Sequence, residues 1–576
     1  MNAPTRITPQ LRADWIGEFA KAGQAKIPDV VQRVYVEDRK AYFAVTATQP
    51  SHALWFLNGD RYFEIDEEQI TLTMAGGDLQ KAVDASYFLG LPTISLQGEV
   101  SLTQPLRMRP GVSIWSMPGA GRITQAAGKD LTVLVDWDTY LARSAHLNGI
   151  EIDGDQAGRS QSLNIDRFAC LIGRADDVRI DACRVGGIVG YGIFVSSGKR
   201  AQITNNEIFD CNVIAIFANA VSVGDRAGHR IAGNRLTGYI GNHAIALWRS
   251  QGCYVARNYI SAQSVLAVAG NIVAGVFTRT GGSTLEKVRP GHYAIYSGGY
   301  EALVTEIIDA NTIRLNTSSS AAGIFAAFGT GDLLTSAGGL DNIFEGNETL
   351  GGASLGCSAT SSDGIGSDFG SIFERNTIRS IGSAGLSVQS QGSAKTTFVT
   401  MRNNFVDDFG LNGLSADANF STGCTIGGSD SVGCVVEGNH YRSTTTTNRG
   451  MNIITNSVVR GSNNVSDTID RSIQNGAEVS FISAFPGATT TVEAYEDVVY
   501  FSITTGATAP DVDPQFYLSH KIIPMRGKRA SCEMTRAPNA DLLPVNTNYP
   551  DDQNASGFQI KGTLAPNSTY HFVARL

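Results

Sequence analysis

Residues 234–260 read NRLTGYIGNHAIALWRSQGCYVARNYI. An Asn-x-apolar triplet opens the stretch (Asn234-Arg235-Leu236) and another closes it (Asn258-Tyr259-Ile260). Between them lies a small-apolar-x-apolar run, Ala244-Ile245-Ala246-Leu247. Alternation this short, bounded by Gly and Asn, reads as a strand whose alternate side chains point to one interior. Both elements recur. The first returns at Asn206-Glu207-Ile208, Asn376-Thr377-Ile378, Asn404-Phe405-Val406, Asn439-His440-Tyr441 and Asn463-Asn464-Val465. The second returns at Gly192-Ile193-Phe194-Val195, Gly364-Ile365-Gly366-Ser367 and Gly385-Leu386-Ser387-Val388. A repeat of roughly 20–35 residues built only of short strands is a solenoid signal. It fits a parallel β-helix between about residues 150 and 470. Inward apolar residues stack on the next coil, Gly and Asn take the tight bends, and stacked Asn hydrogen-bond from coil to coil.

Composition agrees. With 63 Gly in 576 residues and 17% charged side chains, the chain is Gly-rich and charge-poor. Its 42% hydrophobic content argues against disorder, and 17 Pro is too few for a collagen-like or low-complexity reading. No apolar window is long enough for a transmembrane helix. A net charge of −9 without a dense basic run speaks against nucleic acid as a partner. The N-terminus lacks an apolar stretch of signal-peptide length, so synthesis and folding in a cytoplasm are expected. The 8 Cys are scattered with no CxxC. They read as small buried residues, and no disulfide framework, metal site or other cofactor is expected.

Outside the repeat, three further segments stand apart. Leu11, Trp15 and Phe19 recur at helical spacing, and Val34-Tyr35-Val36 and Tyr42-Phe43-Ala44-Val45 alternate. This predicts a small module over residues 1–70. The solenoid is then expected over 71–475, opened by a helix at 78–89 with Asp78 as N-cap and Gly90 as its stop. The repeat breaks between about 275 and 335, where Tyr293–Tyr296, Ala302–Thr305 and Thr312–Leu315 read as hairpin strands of an inserted β excursion. Residues 476–576 continue strand-like and predict a terminal β-sandwich. The fold class is therefore all-β: a right-handed parallel β-helix with added β modules.

At this point the chain resembles the bacteriophage tailspikes, within the pectate-lyase-like right-handed β-helix superfamily. The carriers are Gly76-Gly77-Asp78-Leu79-Gln80-Lys81-Ala82-Val83-Asp84-Ala85, the strand Leu106-Arg107-Met108-Arg109-Pro110-Gly111-Val112-Ser113-Ile114, and the coils above, over roughly residues 71–475. The resemblance implies a homotrimer in a phage tail. It also implies an N-terminal segment that attaches to the virion through a tail or baseplate protein, and a C-terminal domain for trimerisation or glycan binding. The implied activity is depolymerisation of a bacterial surface polysaccharide: capsule, O-antigen or exopolysaccharide. No membrane insertion is implied.

Aligning the coils on their second element puts Ser196, Phe217, Trp248, Asp368, Gln389, Asp417 and Ile454 in one outward column. Tyr191, Asn212, His243, Asp363, Ala384, Asn412 and Arg449 fall in another. Aromatic rings stack on sugar faces and carboxylates do acid–base work. Asp368 and Asp417, two coils apart, are the expected catalytic pair of a glycoside hydrolase, with Asp363 as substitute. At about 4.8 Å per coil they suit an inverting mechanism. Trp248, His243, Phe217, Gln389 and Arg249 are the expected substrate-binding residues. In related pectin hydrolases an Asp and a His precede similar strands, as Asp363 and His243 do here, but that family's paired Asp-Asp is absent. Two alternatives stay open: a lyase with His243, Arg249 or Tyr191 as base, and a non-catalytic receptor-binding fibre. The acids Glu207, Asp210, Asp341, Glu345, Glu374, Asp407 and Asp408 read as surface charges.

Overall fold

The computed structural model describes residues 10–13, 26–154, 167–220, 228–296 and 300–411, and strands with their short connections within 422–575. The repeat pattern becomes a right-handed parallel β-helix whose coils each pass through three sheets. Two compact units make up the chain: Met1–Ser160, Asn164–Cys211 and His229–Asn234 form the first, and the remaining residues the second.

In the first unit, an N-terminal sheet joins Gln10–Ala13, Arg33–Val36, Ala41–Thr46, Arg61–Ile65 and Trp55–Asn58. Leu11 thus lies in a strand, paired with Val34, and not in the helix that its spacing predicts; Trp15 and Phe19 lie outside the described residues. The edge of a neighbouring strand overrides a weak helical period. A helix follows over Leu79–Leu89. The Asp78 carboxylate accepts from the Lys81 N–H, and Gly90 ends the helix in the left-handed region at φ 69°. The helix packs on the strands Ile70–Thr71, Thr93–Ser95 and Leu106–Arg107. Ile94, Ile114, Leu147, Ile180 and Ile203 then stack in register through successive coils, all fully buried. Each such side chain contributes about 2 kcal/mol of burial free energy.

In the second unit the coils run Tyr254–Ala256, Tyr259–Ala262 and Asp332–Ala337; then Ile343–Glu345, Glu348–Leu350 and Cys357–Ser361; then Ile372–Glu374, Thr377–Arg379 and Leu386–Ser390. The Asn residues at the bend form a ladder. The amide of Asn258 donates to Asn347 Oδ1 (2.9 Å), Asn347 to Asn376 (2.9 Å), Asn376 to Asn404 (3.0 Å) and Asn404 to Asn439 (2.9 Å). The backbone N–H of each donates to the same oxygen as its side chain does. All five are buried. Asn376→Ala removes an acceptor from Asn347 and a donor from Phe344 O and Asn404, leaving buried groups unpaired. We expect it to cost about 3 kcal/mol or more. Denaturant melts of the variant beside wild type check this.

The inserted excursion is a closed six-stranded antiparallel barrel bounded by Ser264–Val273 and Ala321–Gly329. It starts and ends earlier than the sequence suggests, so Asp332–Ala337 belongs to the β-helix and not to the insertion. Val268, Phe277, Val288, Ala294, Val304 and Phe328 fill its core. Near the C-terminus, two four-stranded sheets gather Glu478–Phe481, Gln515–Ser519, Ala555–Lys561 and Leu543–Val545, and Thr489–Tyr495, Val498–Thr504, Thr569–Arg575 and Ser531–Arg536. Among the described residues seven Cys are free and buried. Among the described residues no helix is long and apolar enough to cross a membrane.

Candidate active site

The third sheet of the second unit carries the chemistry. Ile216, Ile245, Leu334, Cys357 and Leu386 form one register row and are fully buried. One residue on, Phe217, Ala246, Thr335, Ser358 and Ser387 form the next row, on the opposite face because strand side chains alternate. Ser358 Oγ donates to Asp332 Oδ2 at 2.9 Å and lies 3.1 Å from Thr335 Oγ1. Thr335 Oγ1 in turn lies 3.4 Å from His243 Nδ1. Ser358 has one proton, and a carboxylate is its strongest acceptor, so the Asp332 carboxyl is fixed by a charge-assisted bond. Burial lowers the pKa of His243 and the Asp332 charge opposes that shift.

The barrel brings the second carboxyl. Tyr293 and Glu301 sit on paired antiparallel strands, Tyr293–Tyr296 and Tyr300–Asp309, where Ile295 faces Glu301. Tyr293 faces Leu303, two residues from Glu301 on the same side of that strand, so the phenol acts on the Glu301 carboxyl. Gly331, just before Asp332, is where barrel and sheet meet: a Cβ there would lie 2.2 Å from Asn242 O and 3.2 Å from the Tyr293 ring. Only a glycine admits that approach. Burial raises the Glu301 carboxyl above its ordinary range; Tyr293 opposes the shift and the Asp332 charge adds to it. The Tyr293 phenol is itself raised, by burial and by Glu301 and Asp332. Glu301 remains solvent-exposed as a residue, so a ligand can reach it. Two carboxyl groups, one elevated and one held by a hydroxyl, thus share a site with a Tyr and a His.

Trp248 and Phe217 flank this cluster. Their rings meet edge to face at 5.0 Å, and Trp248 lies 6.4 Å from the His243 ring. Phe217 is buried, whereas Trp248 is half-buried. Gln389 occupies the Trp248 register row three coils on, beyond Ala337 and Thr360, about 14 Å away at the usual strand spacing. Arg249 is occupied: its guanidinium donates to Ile365 O (3.1 Å) and Gly364 O (2.5 Å).

The expected catalytic residues lie elsewhere. Asp368 is not outward. It sits on the short strand Asp368–Phe369 of the first sheet, fully buried, with Oδ2 accepting from Ser336 Oγ (2.6 Å) and Gly339 N–H (3.0 Å). The coil's third-sheet strand is Cys357–Ser361, so Gly364-Ile365-Gly366-Ser367 is a turn and the alignment slips by several residues. Asp363 is exposed in that turn. Its Oδ1 accepts from Ser393 N–H (2.8 Å) and Ser393 Oγ (2.7 Å), bonds that hold its carboxyl below the usual range. Asp417 lies outside the described residues. Tyr191 belongs to the first unit, stacked 5.3 Å from Phe168. Among the described residues no cluster of His, Cys, Asp and Glu could hold a metal ion.

No protein-family model and no curated protein sequence matches this chain. Among solved structures it is similar to the Dettilon tailspike protein, at 11% identity over 86% of this chain and 89% of that one, with a TM-score of 0.52. The fold is shared with a phage tailspike. Weaker likenesses include tailspike protein 2 from the Escherichia coli O157:H7 bacteriophage CAB120 (8% identity, 94% and 71% covered, TM-score 0.41). Another is tailspike gp49 of Acinetobacter baumannii bacteriophage Fri1, a capsular polysaccharide depolymerase (10% identity, 98% and 97% covered, TM-score 0.38).

Proposed function

We propose that this chain is a phage tailspike that binds and depolymerises a bacterial surface polysaccharide by glycoside hydrolysis. The observation that carries the chemistry is Asp332, held by Ser358, in register with His243 beside Trp248, with Tyr293 of the barrel closing on Gly331 next to it. Glu301, with its raised pKa, is the general acid that protonates the leaving glycosidic oxygen. Asp332, held by Ser358, is the second carboxylate, acting on water or on the anomeric carbon. Trp248 offers an aromatic face to a sugar ring. The shared fold supports a homotrimer in the phage tail, with residues 1–70 attaching to a tail or baseplate protein. On the same reading residues 476–576 serve trimerisation or glycan binding. A lyase that uses His243 as its base is the second reading, since His243 lies beside Asp332 and burial lowers its pKa, whereas the Arg249 guanidinium is spent on carbonyls.

The test is release of new reducing ends from a panel of capsules, O-antigens and exopolysaccharides. A hydrolase gives saturated products, whereas an unsaturated uronate absorbing in the ultraviolet would show a lyase. Binding without any cleavage would show a receptor-binding fibre. The pH profile adds a check. Activity needs protonated Glu301, so its raised pKa carries the alkaline limb above the ordinary glutamate range. The Tyr293 hydroxyl opposes that elevation. Tyr293→Phe is therefore expected to shift the alkaline limb of kcat/KM further upward while activity persists. An unmoved limb would remove Glu301 from the acid role.

A further inference from the structure

The first sheet of the second unit presents an apolar stripe, whose reading as a subunit contact rests on the trimer proposed above. On each strand of this sheet a buried middle residue separates two outward ones. The first outward position reads Tyr254, Ile343, Ile372, Thr400 and Val435 on successive coils, in register and half-buried. All five are uncharged. The equivalent position in the first unit reads Ser113, His146, Arg179, Gln202 and Arg230. Beside the stripe, at the entry to the strands, Leu340 bridges Phe369, and the Phe369 ring meets the Phe398 ring edge to face at 5.2 Å. The two rings are exposed, at 44% and 56%. Phe398 is held there against its backbone preference. It occupies a bend that is left-handed in four successive coils: Asp341 (φ 52°), Gly370 (72°), Phe398 (56°) and Gly433 (71°). Asp and Gly take that conformation readily and a bulky aromatic does not. Gly433 makes room for the ring, since a Cβ there would lie 2.9 Å from it.

The stripe runs parallel to the stacking of the coils for about 19 Å at the usual strand spacing. Two half-exposed Phe rings with Leu340, Ile343, Ile372 and Val435 around them expose on the order of 300 Å² of apolar surface, a size that marks an interaction site. Its chemistry fits a second copy of this chain. At a rotation axis every side chain meets its own copy, so a charge there meets a like charge. An uncharged row suits such a contact, whereas Arg179 and Arg230 in the first unit's row would face their own copies. The charged row two residues on, Glu345, Glu374 and Arg402, is neutralised within the chain: Arg375 pairs with Glu345 and Glu374, and Arg402 with Glu374. A sugar would need hydrogen-bonding groups around the rings, and the side chains of Leu340, Ile343, Ile372 and Val435 offer none. We infer that the three copies meet along this stripe, with the first sheet of the second unit turned toward the three-fold axis.

The experiment uses the full-length protein, its mass taken by light scattering. Thr400→Cys places a thiol on the stripe, and Thr377→Cys places one at a half-buried outward position of the second sheet. A short bifunctional thiol reagent should give at least about tenfold more covalent dimer from Thr400→Cys than from Thr377→Cys, with wild type as background, because identical positions at an axis are held at high effective concentration. If Thr400→Cys fails to fold, Val435→Cys carries the same comparison. Independently, the Phe369→Ser/Phe398→Gly double variant should separate into single chains at least about a hundredfold faster in dilute denaturant, as the loss of two buried rings from each contact predicts. Wild type running as a single chain overturns the trimer reading, and this inference with it. A trimeric wild type whose Thr400 and Thr377 variants crosslink equally overturns the inference alone, as does an unchanged separation rate. A double variant that stays trimeric at the wild-type rate yet loses polysaccharide binding would make the stripe a glycan surface, which also overturns it.

Discussion

Asp332→Asn is expected to lower polysaccharide cleavage by about a thousandfold or more while leaving glycan binding within a few fold. Asn keeps the shape and an acceptor for Ser358 Oγ, so the 2.9 Å contact and the strand Asp332–Ala337 should persist. What is lost is the charge and the basicity. Glu301→Gln removes the acid from the other side and should cost a similar factor. The double variant should be little worse than either single one, because the two groups serve one step. Asp363→Asn is the control. Asp363 is exposed and tied to Ser393 in a turn, so its loss should leave kcat/KM unchanged. Reducing-end assays on purified protein, with melting curves for each variant, check the set. Full activity in Asp332→Asn would sink the site. So would a dead Asp363→Asn that is normally folded.

The fold was legible because its signal is repeated and covalent in spacing. Asn206, Asn234, Asn258, Asn376, Asn404 and Asn439 are ladder positions that a one-dimensional reading can find, and each is buried where the repeat puts it. The site was not legible because an insertion interrupts the repeat beside it. The barrel separates Asn258 from its ladder partner Asn347 by 89 residues. Asn347-Glu348-Thr349 carries a buried Thr where other coils carry an apolar residue, so it escapes the pattern. With that coil unseen, Asp332 looked like part of the excursion. Yet Asn242-His243-Ala244-Ile245 and Gly331-Asp332-Leu333-Leu334 are the same element one coil apart, and His243 pairs with Asp332 in register. The offset from His243 to Asp332 equals that from Asn258 to Asn347, which would have aligned them. Glu301 had no such signal. It comes from the inserted barrel, and only three-dimensional closure brings it to the sheet. The slip at Asp368 has a different cause. The true strand, Cys357–Ser361, is built of small residues, and the more apolar Gly364-Ile365 beside it outcompetes it as a pattern.

Asp368 then becomes a question of stability. Its carboxyl is fully buried inside the coils, and burial pushes its pKa up to about 7 against an ordinary value of 3.8. Ser336, Ser371 and the Gly339 N–H oppose the shift without cancelling it. Asn342 Nδ2 donates to the same Ser336 Oγ, so the polar cluster is closed around Oδ2, while Oδ1 has no hydrogen-bond partner. A raised folded-state pKa means that the folded chain holds a proton which the unfolded chain releases near pH 4. The associated stability is complete below that pH and is lost as pH rises through about 7. A shift of about three units corresponds to about 4 kcal/mol, an upper figure for one group. Asp368→Asn retains an acceptor for Ser336 and Gly339 and cannot ionise. Relative to wild type it is expected to gain stability progressively from about pH 4 to pH 8, by up to about 4 kcal/mol. At pH 4 the two should be alike within about 1 kcal/mol, since both side chains are then neutral. Unfolding rates in denaturant at fixed temperature, taken every pH unit, measure this even if refolding is incomplete. Parallel pH profiles for the two proteins would mean that the buried carboxyl is already ionised in the fold. Depolymerase activity should be equal in both, because Asp368 lies on the first sheet and the proposed acid and base lie on the third sheet and the barrel.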